Sequence, residues 1–101
     1  MMSLTRIDWK NKNAEAGYWL GKKYWGQGIA KEALQLILGF GFRRLKLMRI
    51  YARARPANFR SERLLNKTGF KREGFLRKDM FIKGRSVDHF IYSILKEEYQ
   101  K

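Results

Sequence analysis

Cysteine is absent from the chain, which excludes disulfide staples, thiolate metal sites and a cysteine nucleophile and agrees with a reducing, cytoplasmic setting. Long hydrophobic runs are absent too. The longest apolar stretch, Leu34 to Phe42, is interrupted by Gln35, Gly39 and Gly41 and is too short to span a bilayer. Met1-Met2-Ser3-Leu4-Thr5-Arg6 lacks the basic start and apolar run of a signal peptide. There is no internal repeat, low-complexity segment or linker. Acidic residues are scarce: 9 Asp and Glu stand against 23 Lys and Arg, for a net charge of +14. Such a balance favours polyanionic partners: nucleic acid, anionic lipid, acidic protein or a phosphorylated cofactor. The positive residues are dispersed in small clusters, as at Arg43-Arg44-Lys46 and Lys67-Lys71-Arg72, and form no basic tail.

What is present bounds the class. A chain of 101 residues makes one domain, and 45% hydrophobic residues with well-represented aromatics make it a folding one. Residues 2–9 and 14–20 read as strands of a hairpin across the turn-rich Lys10-Asn11-Lys12-Asn13. From Gly28 the period changes. Ala30, Ala33, Leu34, Ile37, Leu38, Gly41 and Leu45 fall at the three- and four-residue spacing of a helix stripe. Gly39 and Gly41 each cost about 1 kcal/mol against alanine inside a helix; they bring it close to a sheet or mark where it loosens. Arg49 to Arg55 alternates Ile50, Ala52 and Ala54 against Tyr51, Arg53 and Arg55, a strand with one apolar face that Pro56 ends.

Asn58 is the expected N-cap of a short helix from Phe59 to about Lys67. Gly69 closes that helix in the left-handed position, and Phe70 folds back on Leu64 or Leu65. Two strands, about 71–81 and 86–95, join at Lys83-Gly84, and the charged tail from Lys96 to Lys101 is expected to be exposed. The order is β-β-α-β-α-β-β.

The chemistry concentrates at Tyr24-Trp25-Gly26-Gln27-Gly28-Ile29-Ala30. Two glycines stand where an extended segment gives way to a helix. Bare backbone N–H groups can converge there on an anion, helped by the positive end of the helix dipole. A pyrophosphate, and so a nucleotide-bearing cofactor, is one reading; a plain strand-to-helix turn is the other.

Four elements carry a resemblance, in order and at matching spacing: Ala14-Glu15-Ala16-Gly17-Tyr18-Trp19-Leu20; the glycine loop leading to Glu32-Ala33-Leu34; Asn58-Phe59-Arg60-Ser61; and Leu65-Asn66-Lys67-Thr68-Gly69-Phe70-Lys71-Arg72-Glu73-Gly74. Asp88 and Tyr92 add to them. From residue 14 onward the chain resembles the GNAT superfamily of acyl-CoA-dependent N-acetyltransferases, and within it the RimJ/RimL type that acts on ribosomal-protein N-termini. The resemblance implies an α/β (α+β) fold with a mixed, mostly antiparallel sheet and two helices. Its central parallel strands, here about 15–20 and 49–55, splay around acetyl-CoA.

On that pattern the pantetheine pairs with backbone of Gly17, Tyr18, Trp19 and Leu20. The pyrophosphate sits on Lys23, Tyr24, Trp25, Gly26, Gln27 and Gly28 and on the helix start at Ile29 and Ala30. Lys23 stands where the family usually has Gln or Arg. Asn58 matches an asparagine that hydrogen-bonds near the pantetheine, and Ser61 a hydroxyl that protonates or stabilises the leaving thiolate. A capping serine is the alternative role for Ser61. No metal is implied.

An amine attacks a thioester only when neutral, so something must take its proton. The oxyanion needs a donor, for which a backbone N–H on the strand before the glycine loop is suited. The family's carboxylate base aligns with Met80, with Asp79 beside it. Neighbours on a strand face opposite ways, so Asp79 needs a bulge to serve. Glu15 is the other candidate, with a cross-strand ion pair as its alternative. Asp88 reads as structural, and His89, the single histidine, as a packed or surface residue.

Enzymes of this type begin with a strand and two helices that form one wall of the acceptor groove, followed by another strand, and this chain is expected to start at the third strand of that plan. The expectation is a single partial domain over 1–101 that holds acetyl-CoA. It acts on a protein N-terminus or small amine and self-associates as a homodimer or larger oligomer over its uncovered face. A non-catalytic acyl-CoA-binding remnant is the alternative. A nucleic-acid-binding module is a third, for which no helix-turn-helix, zinc or RNP-type signature is present. No membrane partner is expected.

Overall fold

The computed structural model describes residues 2–18 and 29–99. Five strands build one sheet: β1 (Met2–Asp8), β2 (Asn13–Tyr18), β3 (Arg49–Ala54), β4 (Lys71–Ile82) and β5 (Arg85–Leu95), in spatial order β1-β2-β3-β5-β4. Helix α1 (Ile29–Gly39) crosses from β2 to β3, α2 (Phe59–Lys67) leads from β3 to β4, and α3 (Lys96–Tyr99) follows β5. Among the described residues only β2 and β3 run parallel, as a crossover connection demands; the other neighbours are antiparallel. The expected element order is met, with α3 added.

The alternation in β3 sorts the two sides of the sheet. Ile50, Ala52 and Ala54 are buried, with Ala14 and Ala16 of β2 and Tyr92 and Ile94 of β5, against Leu34 and Leu38 of α1 and Leu64 and Leu65 of α2. Four alanines among these sheet positions keep the helices close. Glu15, Tyr51, Arg53, His89 and Ser93 alternate to the other side.

Both readings of the paired glycines hold. The α-helix stops at Gly39 and the chain continues as a π-helical turn, Phe40–Arg44, closed by Leu45 N donating to Phe40 O at 3.1 Å. At Gly41 a Cβ would lie 2.7 Å from Ile50 Cδ1 and 3.2 Å from Leu4 Cδ1, so any larger residue would have to push these two methyls aside for the turn to rest on the sheet. The wider turn drives Phe42, 1% exposed, into the core.

The tail departs from expectation. Residues 96–99 form a helical turn whose Tyr99 ring lies 5.3 Å from Phe42. Lys96 N donates to Met48 O at 3.0 Å, and Glu98 accepts from Leu95 N at 2.9 Å. A charged composition concealed one amphipathic tyrosine, for which the bare Cα of Gly39 leaves room.

Candidate functional site

The ladder between β2 and β3 is short. It runs through Asn13↔Arg49, Ala14↔Ile50 and Glu15↔Tyr51. On one flank β1 stays paired with β2 as far as Tyr18, and on the other β5 stays paired with β3 as far as Ala54. Between 16–18 and 52–54 no pair forms. Two strands therefore part in the middle of the sheet, each held by its outer neighbour, and their facing edges carry backbone donors and acceptors that an extended ligand can use. Gly17 and Tyr18 lie on this free stretch of β2. Trp19, Leu20, Lys23, Tyr24, Trp25, Gly26, Gln27 and Gly28 lie outside the described residues.

Both helices begin at the end where the strands part. Ile29, 40% exposed, and the buried Ala30 open α1, which follows β2 in the chain. Asn58 caps α2, which follows β3; its Oδ1 accepts from Ser61 N at 3.1 Å. Ser61 is 4% exposed in the first turn. The capping reading thus belongs to Asn58, while Ser61 is the capped residue. Two helix N-termini at one end of a parallel pair form an electropositive edge suited to an anionic ligand.

The open side of the sheet carries a chain of charged groups. Arg53 on β3 places Nη1 2.6 Å from Glu15 Oε1 on β2 and Nε 2.7 Å from Asp79 Oδ2 on β4. Asp79 Oδ2 also lies 2.9 Å from His89 Nδ1 on β5. The Glu15 contact is a close ion pair in which Nη1 does not reach hydrogen-bond geometry. Arg6 approaches Glu15 from β1 at 3.5 Å. The side chains of Glu15, Arg53, Asp79 and His89 are 12%, 17%, 14% and 8% exposed. Burial opposes the charge on Arg53, but Glu15 and Asp79 outweigh it and raise its pKa, so the guanidinium stays charged.

The required bulge is present. Between Leu76↔His89 and Met80↔Val87 the register shifts, and Lys78 adopts φ 47°. Asp88 fixes the distortion by accepting from Lys78 N at 2.7 Å. Asp79 thereby reaches the same side as Glu15. Both candidate carboxylates are engaged by Arg53, and Ser61 belongs to the helical layer across the sheet. The gap between β2 and β3 is where the two sides can meet.

Arg53 is the residue that sequence reasoning passed over; His89, read as a packed or surface residue, is buried. The signal for Arg53 was its parity with Tyr51, which places it beside Glu15 once β2 and β3 are parallel neighbours. His89 depended on the bulge, which no local pattern announced. A second network fastens α2: Glu62 Oε1 accepts from Tyr92 Oη and Arg72 Nη2, each at 2.7 Å. Desolvation raises the pKa of Tyr92, with Arg72 opposing and Glu62 adding to the rise.

The sheet thus opens between two parallel strands at the end where two helices begin. The family model for the acetyltransferase (GNAT) domain matches residues 1–71, and the chain belongs to that family. It is 46% identical over 93 residues to the uncharacterized N-acetyltransferase p20 of Bacillus licheniformis, covering 92% of this chain and 52% of that protein. To the ribosomal-protein-serine acetyltransferase of Escherichia coli it is 33% identical over 93 residues, again 92% of this chain and 52% of the relative. The solved structure of spermidine N-acetyltransferase from Vibrio cholerae in complex with CoA and spermine superposes with a TM-score of 0.88 at 28% identity, over 99% of this chain and 59% of that one. The chain spans about half the length of the curated relatives it matches.

Proposed function

We propose that the chain is the cofactor-holding part of an N-acetyltransferase that moves an acetyl group from acetyl-CoA to a primary amine, a protein N-terminal amine of the ribosomal-protein type. The observation that carries this reading is the parting of β2 and β3, with paired edges outside and free edges within. Backbone at 16–18 would hold the pantetheine as a further strand would. The glycine loop from Lys23 to Gly28 and the start of α1 would take the pyrophosphate. Acetyl-CoA supplies an activated thioester. Ser61, at the start of α2, would meet the thiolate as it leaves. The acceptor reading is supported by relatives named for ribosomal-protein serine and for the alanine of ribosomal protein uS5; the likeness to a spermidine acetyltransferase makes a polyamine the comparison substrate.

The test follows thiol release from acetyl-CoA with a serine-led peptide, an alanine-led peptide and spermidine. Faster release with a peptide than with spermidine supports the acceptor assignment, and the reverse order refutes it. Binding without any turnover would mark a non-catalytic CoA-binding protein instead. Ser61→Ala should lower turnover more than affinity. We also propose a cytoplasmic homodimer or larger assembly, supported by the edge strand β1 and the uncovered side of the sheet. Sedimentation as a stable monomer at micromolar concentration would contradict the assembly.

A further inference from the structure

Neither carboxylate singled out as the base is free: Arg53 holds both Glu15 and Asp79. Asp79 Oδ2 has a second partner, Nδ1 of His89 at 2.9 Å. An ionised carboxylate only accepts hydrogen bonds, so in the neutral imidazole this contact puts the proton on Nδ1 and leaves the Nε2 lone pair available. Phe90↔Ala54 is the last pair between β5 and β3, so His89 stands one residue past the end of β3, beyond Glu15↔Tyr51 on the side where β2 and β3 have already parted. It faces the side opposite the helices, with 8% of its side chain exposed. The groups around it are Asp79 from β4, Arg53 from β3 reaching it through Asp79, Glu15 from β2 reaching it through Arg53, and Leu76 opposite on β4. Asp88, its chain neighbour, is turned to Lys78 N.

We propose that His89 is the general base of the transfer, with Asp79 and Arg53 as its positioning residues. The proposal rests on the acetyltransferase reading above. The acceptor amine approaches from the open side while the thioester enters from the helical side, and the gap between β2 and β3 brings them together. The amine lone pair forms the C–N bond, and the N–H proton passes to His89 Nε2. The tetrahedral intermediate collapses with cleavage of the C–S bond, whose electron pair leaves on the CoA sulfur. The thiolate takes up a proton at Ser61 or from solvent. Asp79 fixes the imidazole tautomer and stabilises the imidazolium that forms. Arg53 holds Asp79 in place and joins it to Glu15 of β2. The carboxylates therefore act through the histidine rather than on substrate.

The test compares wild type with His89→Gln, Asp79→Asn and Glu15→Gln in thiol release from acetyl-CoA, with the serine-led peptide and spermidine as acceptors. Acetyl-CoA affinity is measured by calorimetry on each protein. A general base contributes about 10²–10⁴-fold. His89→Gln should lose rate on that scale with unchanged affinity, lose the rising limb of the rate–pH profile, and His89→Ala should regain rate with added imidazole. Asp79→Asn should lower the rate and displace the limb; Glu15→Gln should do neither to that extent. A wild-type rate in His89→Gln, or loss confined to Glu15→Gln, overturns the proposal while leaving the acetyltransferase reading intact. A wild type that binds no acetyl-CoA, or binds it without turnover, overturns both. His89 is the single histidine, so its ¹⁵N signals need no assignment. A neutral ring protonated at Nδ1 supports the arrangement, and one protonated at Nε2 overturns it.

Discussion

Replacing Arg53 with methionine is the substitution to which this fold should respond most sharply. The guanidinium lies between Glu15 and Asp79, which are 12% and 14% exposed, and is itself 17% exposed. Methionine keeps most of the aliphatic bulk and removes the charge, leaving two carboxylates on one side of the sheet without their shared cation. Removing one partner of a buried pair costs about 3–5 kcal/mol, because the survivor stays buried and uncompensated. Some solvent reaches this cluster, so about 3 kcal/mol is expected. With a urea m-value near ~1.5 kcal/mol/M, typical of a small domain, the unfolding midpoint should fall by about 2 M. At about 4–8 °C per kcal/mol, the melting temperature should fall by roughly 12–24 °C. Adding Glu15→Gln and Asp79→Asn to the methionine variant should restore at least half the loss, since the stranded charges are then gone. If Arg53→Met alone shifts stability by less than about 0.5 kcal/mol, the value of an exposed pair, the network does not hold β2, β3 and β4 together and the reasoning fails.

Three other outcomes follow from the packing. Gly41→Val should destabilise by about 1–3 kcal/mol in urea titrations through overpacking against Ile50 and Leu4, whose nearest atoms lie 2.7 Å and 3.2 Å from the added Cβ; a neutral result would mean the π turn does not rest on the sheet. Gly84→Ala, at φ 76° with nothing within 4 Å of its Cβ, should cost about 1 kcal/mol from backbone strain alone. Tyr92→Phe loses the hydrogen bond to Glu62 at 2.7 Å and should cost about 1.5 kcal/mol at neutral pH. Burial raises the Tyr92 pKa, so its contribution is complete below about pH 10, the value in the unfolded chain, and is lost as pH rises through the folded value. The stability gap between wild type and Tyr92→Phe should therefore narrow in strong alkali, and a gap that widens there would reverse the sign of this argument.

Local chemistry made the elements legible. Strict alternation identified β3, the Asn58 side chain identified the start of α2, and the φ of 99° at Gly69 fits the left-handed stop read from Thr68-Gly69-Phe70. What escaped was set by tertiary packing. The π turn after Gly39 lays Gly41 against Ile50 and Leu4, partners far away in the chain. Tyr99 finds Phe42 only after β5 has been placed. At the site, Glu15 and Asp79 were visible as acids, but the cation between them required the β2–β3 register, and His89 required a bulge supported by Asp88. The family pattern pointed to a carboxylate at Met80, and the distorted strand brings Asp79 to an arginine and a histidine instead.

The central claim is that acetyl-CoA occupies the gap between β2 and β3 with its pyrophosphate on the glycine loop. Titration calorimetry with acetyl-CoA on wild type and on Gly28→Glu tests it most directly, because the substitution adds bulk and negative charge where the phosphates should sit. Saturable one-to-one binding to wild type and its loss in Gly28→Glu are the predicted results; equal affinity in the two proteins would contradict the account.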